Sequence, residues 1–175
     1  MVHLFLTGEV QVGKSTLLRA LLERLALPAC GFCTCWAVCG GEERLHLLPW
    51  GAERRCAPEN AAACRVDRRA QAMSGRFDRL GPPLLLPRKG SRVLVMDELG
   101  FLEREEKVFQ QAVLGALDGP LPVLGVIKPR QTSFLDAVRA HPRTRAVLVT
   151  EENRDTLLEK VLLPLWQREN GSLNN

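Results

Sequence analysis

Gly8-Glu9-Val10-Gln11-Val12-Gly13-Lys14-Ser15 is the stretch that decides the fold. Its spacing is G-x-x-x-x-G-K-[ST], the pattern of a phosphate-binding loop. Each fixed position answers a physical need. The glycines permit a tight turn whose backbone N–H groups point inward at phosphate oxygens. The helix that follows presents its positive end to the same anion. Lys14 reaches the β- and γ-phosphates, and the Ser15 hydroxyl ligates Mg²⁺. Gly8 through Ser15, with Thr16 after them, are therefore the candidate nucleotide-binding residues. Gln11 is the odd member, because a positive φ there is strained for any residue with a Cβ.

The flanks supply the context that the loop demands. Val2–Leu6 is a short apolar run that reads as a buried strand. After the loop, Leu17, Leu18, Leu21, Leu22 and Leu25 recur at helical spacing, and Pro28 stops the helix. Further on, Arg92–Met96, Pro122–Ile127 and Ala146–Val149 read as core strands. Helices are expected at Arg104–Leu117, at Ser133–Ala140 with Ser133 as N-cap, and at Asn153–Trp166. Apolar strands without period-2 alternation are buried on both faces. The expected architecture is a three-layer α/β domain around a mostly parallel sheet, one domain over 1–175.

An insertion at about 30–90 interrupts this alternation. Gly31–Val38 and Arg44–Leu48 read as a hairpin around Gly40-Gly41. From Trp50 to Gly90 the pattern is irregular, with one helix expected near Ala61–Met73. Gly171–Asn175 reads as a polar tail.

A second motif lies at the end of the second core strand. Val93-Leu94-Val95-Met96-Asp97-Glu98 is an apolar run closed by two carboxylates, the Walker B pattern. In a parallel sheet that strand end lies beside the phosphate loop. Asp97 would then hold Mg²⁺ together with Ser15, and Glu98 would orient or deprotonate an attacking water.

Taken in order, the phosphate loop, Gly31-Phe32-Cys33-Thr34, Gly40-Gly41, Asp97-Glu98-Leu99-Gly100-Phe101-Leu102-Glu103 and Asn153-Arg154-Asp155 resemble the cancer-related nucleoside-triphosphatase family of small P-loop proteins. The resemblance spans Phe5 to about Leu165. It departs at Val10-Gln11, where the family usually has Pro-Gly, at Cys33, and through Cys35–Val38. It implies a RecA-like sheet in which the two motif strands are neighbours, and slow Mg²⁺-dependent hydrolysis of ATP, GTP and other nucleoside triphosphates. It also brings Glu98 and Glu103 near the active site and makes Arg154 a base or phosphate contact. Lys14, Glu98 and Arg154 are thus the catalytic candidates.

Composition bounds the alternatives. The chain has 175 residues, 46% hydrophobic and 25% charged, which excludes wholesale disorder and a fibrous repeat. No apolar run is long enough to span a membrane, and the start has no basic leader. The net charge of +4 is unevenly spread: Arg54–Arg92 holds ten basic and three acidic residues, a local +7. The plainest reading of that segment is a solvated basic face. A lid that supplies an arginine to the triphosphate, or an RNA-contacting surface, are the others. Phe77 is the only aromatic between Trp50 and Phe101, which counts against RNA.

Six cysteines without a secretory signal fit a reducing, cytoplasmic compartment and free thiols. The spacing of Cys30, Cys33, Cys35 and Cys39 is poor for zinc. No guanine-specifying signature is present, so the base is open, with promiscuity or ATP preference as the default. The expectation is a monomeric nucleoside triphosphatase. Its rivals are a small kinase with an unknown acceptor and a nucleotide-gated RNA-binding switch.

Overall fold

A computed structural model describes residues 1–171 of the chain. Of the expected polar tail, residues 172–175 lie outside the described residues. Eight strands form one sheet in the order β5-β4-β3-β2-β6-β7-β1-β8. These are β1 (His3–Thr7), β2 (Ala29–Cys39), β3 (Glu42–Pro49), β4 (Ala61–Val66), β5 (Arg69–Ala72), β6 (Val93–Leu99), β7 (Val123–Ile127) and β8 (Thr144–Leu148). Strands β2, β6, β7, β1 and β8 run parallel, as the buried apolar runs require. The insertion extends the same sheet as antiparallel strands.

Successive side chains of the parallel strands feed two cores. Phe5, Phe32, Leu94 and Met96 point to one face, where α2 (Arg76–Leu84), α3 (Lys107–Asp118) and α4 (Ser133–Ala140) cover them. Leu4, Leu6, Val93 and Val95 point to the other, under α1 (Lys14–Leu25) and the C-terminal helix. This is the expected three-layer arrangement. Each fully buried Leu or Phe contributes about 1.5–3 kcal/mol, so both faces are held.

The C-terminal helix is not the single element expected at Asn153–Trp166. It comprises α5 (Arg154–Leu157), a π-helical turn over Leu158–Leu162 and α6 (Leu163–Asn170). Pro164, with no N–H to give to the preceding turn, sits just after the widened segment.

Four further expectations need correction. Ala61–Met73 is not a helix but the β4–β5 hairpin. The helix propensity of Ala61-Ala62-Ala63 yields to pairing with β3, and Asp67 and Arg68 both adopt positive φ, as a tight hairpin turn demands. The helix at Arg76–Leu84 replaces part of what reads as irregular chain. The N-cap of α4 is Thr132, whose Oγ1 accepts the Leu135 N–H at 3.1 Å, rather than Ser133. Finally, β8 is the sheet's edge rather than a core strand, and Arg145, Ala146 and Leu148 are exposed. No helix among the described residues is long and apolar enough to cross a membrane.

Candidate active site

The loop between β1 and α1 is a backbone device before it is a chemical one. Gly8 has φ 142° and Gly13 has φ 103°. A Cβ on Gly8 would lie 2.3 Å from the Val149 carbonyl oxygen, so the close approach of the loop to the end of β8 needs glycine. Gln11 does take positive φ, at 64°. Val12 is buried and pins the loop to the core, while Glu9, Val10 and Gln11 are exposed.

Lys14 folds back over this loop. Its Nζ donates to the carbonyls of Gly8, at 2.9 Å, and Glu9. The side chain is 7% exposed, and burial lowers its pKa, with the Glu98 carboxylate pulling it back up. A buried ammonium with carbonyl partners alone is poised to exchange them for phosphate oxygens.

The two motifs meet as expected. Ser15 Oγ donates to Asp97 Oδ1 at 2.7 Å. Asp97 is 4% exposed, and burial raises its pKa, against the pull of the Ser15 hydrogen bond. Arg19 Nη2 lies 3.9 Å from its other oxygen. β6 runs on to Leu99, and Asp97 pairs with Cys33 of β2 and Val126 of β7. The carboxylate is thereby fixed at the C-terminal end of a central strand. The Asp97–Glu98 peptide is cis.

A hydroxyl and a buried carboxylate in contact at a helix N-terminus form a hard oxygen pair that fits Mg²⁺. A cation there would also relieve the burial of Asp97's charge. By contrast, no group of three His, Cys, Asp or Glu among the described residues is arranged to hold a metal ion by itself. All six cysteines are free thiols.

Glu98 faces a cleft of about 890 Å³ that opens over the phosphate loop. Its Oε1 pairs with Lys128 Nζ at 3.0 Å. Glu103 is nearby and 3% exposed. It accepts the Gly100 N–H at 3.1 Å, and burial pushes its pKa up to about 7. Glu103, Glu98 and Lys128 line one small cavity of about 40 Å³ beside the cleft.

Gly8, Glu9, Val10, Gln11, Gly13, Lys14, Ser15, Thr16 and Glu98 all line the cleft, so the structure brings these candidates together. Asp97 joins them through Ser15. Arg154 is not among the lining residues. It stands at the start of α5, half-exposed, with its Nε 3.6 Å from Asp155. Trp36, Arg65, Lys128 and Arg130 also line the cleft, although no motif marks them, and so does Phe101 of the Asp97–Glu103 motif. Lys128 and Arg130 follow β7 directly, and residues just past the carboxyl ends of parallel strands line the crevice of such folds. That rule would have found them. Arg65 comes from the basic segment, and no local pattern separates it from its neighbours.

The model of a family described as NTPase matches residues 3–162. The human cancer-related nucleoside-triphosphatase is 30% identical, over 91% of this chain and 94% of its own. The solution structure of a human cancer-related nucleoside triphosphatase has a TM-score of 0.70 at 27% identity, covering 98% of this chain and 99% of that one. The crystal structure of THEP1 from Aquifex aeolicus has a TM-score of 0.71 at 24% identity, covering 94% and 99%. At that identity the second likeness speaks for the fold.

Proposed function

Because the chain belongs to the NTPase family, we propose that it hydrolyses nucleoside triphosphates with Mg²⁺ at the cleft over residues 8–16, with Glu98 handling the water. The observation that carries this is the contact of Ser15 with Asp97, which joins the two motifs at one point.

The triphosphate lies along the loop, its oxygens taking the N–H groups of the loop and the first turn of α1. Lys14 leaves the Gly8 and Glu9 carbonyls and turns to the β- and γ-phosphates. Ser15 Oγ and Asp97 would hold the cation. Mg²⁺, when bound, neutralises charge on the β- and γ-oxygens and fixes their orientation. Glu98 accepts a hydrogen bond from the water that attacks the γ-phosphorus and takes its proton. For that, Glu98 must exchange its pairing with Lys128 for one with water, and the freed Lys128 ammonium then faces the γ-phosphate. Arg154, at the start of α5 and outside the cleft lining, would have to turn from Asp155 to reach the nucleotide. Six free thiols suit a reducing, cytoplasmic setting.

The test separates binding from chemistry. Lys14→Ala should abolish triphosphate binding or turnover. Glu98→Gln should retain binding and lose turnover by about 10²-fold or more. Both are read by titration of a triphosphate and by phosphate release. Normal hydrolysis by Glu98→Gln would refute its assignment.

A further inference from the structure

The wall of the cleft beyond Glu98 carries more positive charge and more aromatic surface than one triphosphate uses. Arg65 lies over the Trp36 ring at 4.7 Å and is held there by Glu43 at 2.9 Å. Lys128 and Arg130 lie 5.6 and 5.9 Å from the centre of the Phe101 ring. All five side chains line the same cleft as the phosphate loop.

Their position in the sheet separates them from the triphosphate's own base. The loop follows β1, and Gly8 abuts the end of β8 on one side. The contact of Ser15 with Asp97 draws the terminal phosphates the other way, toward β6. Trp36 is on β2, the neighbour of β6 on the side away from β1, and Phe101 stands just past the end of β6. The cation–aromatic wall is therefore on the γ-phosphate side, past Glu98. A nucleotide whose γ-phosphate reaches Glu98 has its sugar and base on the opposite side.

We propose that this wall is a subsite for a second ligand, a nucleoside monophosphate, placed to accept the γ-phosphoryl group. The inference rests on the placement of the triphosphate argued under the proposed function. A guanidinium plane backed by an indole is a platform on which a nucleobase stacks. Lys128 and Arg130 supply the paired cations for its phosphate. An oxygen of that phosphate forms a bond to the γ-phosphorus. The bond from the γ-phosphorus to the β–γ bridging oxygen breaks, and its electron pair leaves with the nucleoside diphosphate. The acceptor becomes a second nucleoside diphosphate. Its dianionic phosphate has no proton to lose, and Glu98 takes the proton of a monoanion. Water is the acceptor when the subsite is empty.

The experiment uses the full chain with Mg²⁺. AMP, GMP, CMP and UMP are each titrated by calorimetry and tryptophan fluorescence, with a non-hydrolysable ATP analogue saturating. In parallel, each is incubated with ATP and the products are separated. At least one monophosphate should bind saturably and be converted to its diphosphate. Trp36→Leu and Arg65→Ala should each weaken that binding about 10-fold or more, as loss of a stacking platform does. The dissociation constant of the ATP analogue is measured in both variants. A parallel rise for ATP analogue and monophosphate would make the wall part of the triphosphate site and overturn the proposal. So would saturable binding without diphosphate product. If no monophosphate binds while ATP is still hydrolysed in a Lys14-dependent way, this proposal falls and the hydrolase reading stands. If the ATP analogue itself fails to bind, both fall.

Discussion

Gln11 holds a left-handed backbone at φ 64° with a full side chain, exposed at the mouth of the cleft. For an L-residue that conformation costs roughly 1–2 kcal/mol, part of which glycine gives back as entropy in the unfolded chain. Gln11→Gly should therefore stabilise the fold by about 0.5–1 kcal/mol. A shift of the urea midpoint at constant slope would show it. Gly8→Ala has no such latitude, because the Val149 carbonyl occupies the space. At this scale the sequence is most readable where chemistry is local. Lys14 and Ser15 belong to one loop, and Asp97 and Glu98 to one strand end, so spacing exposes them. Trp36 and Arg65 act by meeting each other across strands, and no spacing encodes that. Glu98's ion pair with Lys128 spans 30 residues of chain and is visible only in three dimensions.

Helix α2 shows why one element escapes a reading of local pattern. It carries Pro82 and Pro83 within nine residues, and its N-cap, Gly75, has no capping side chain. Its cap comes from elsewhere. The buried Glu106, just before α3, accepts the N–H groups of Gly75 at 2.8 Å and Asp78 at 3.0 Å. In return, Asp78 Oδ1 accepts the Phe109 N–H of α3 at 2.8 Å. Each helix thus supplies a carboxylate to the first turn of the other, where its charge also suits the helix dipole. Phe77 packs beside Phe109, with ring centres 5.7 Å apart. Glu106→Ala should leave two N–H groups without partners and cost about 2 kcal/mol or more, measured by chemical denaturation. Glu106→Gln, which keeps an acceptor, should cost less. The hairpin β4–β5 escaped for the complementary reason: its turn is Asp67-Arg68, with no glycine to announce it. The parallel strands and α1 were legible because their own apolar spacing sets their burial.

Across the whole molecule, two buried titratable groups oppose each other. His3 is fully buried between Leu117 and Val123: Nε2 donates to the Leu117 carbonyl at 2.8 Å and Nδ1 accepts the Val123 N–H at 3.0 Å. Those partners require the neutral ring, and burial takes its pKa down to about 4. Its contribution to stability is present above the ordinary value of 6.5 and is lost as pH falls through 4. Glu103 runs the other way. Its contribution is greatest below 4.5 and is lost as pH rises through about 7. Each effect is worth about 3 kcal/mol at most. Between pH 4.5 and 6.5 the two contributions oppose each other, and the raised pKa of buried Asp97 adds to the glutamate's side. Glu103→Gln should therefore tilt the profile toward stability that rises with pH across that interval, relative to the wild-type chain. Thermal melts at half-unit steps would record it, and an unchanged slope in the variant would count against the assignment. Strands alternating with helices announced a parallel sheet but not its order: the two motif strands, expected as neighbours, are β1 and β6 with β7 between them, and nothing announced the continuation of one sheet into the insertion. Nothing in Arg54–Arg92 declares pairing partners. One more contact joins distant parts of the chain. Asn170 Oδ1 accepts the Val2 N–H at 2.8 Å and its Nδ2 donates to the Val2 carbonyl at 3.0 Å. This clasp lies at the start of β1, and the catalytic loop lies past its end, about five residues or some 16 Å away. Positions 2 and 170 therefore share one anchorage at the end of β1 away from the cleft. A label, a bead or a neighbouring domain attached there would leave the mouth of the cleft open to nucleotide.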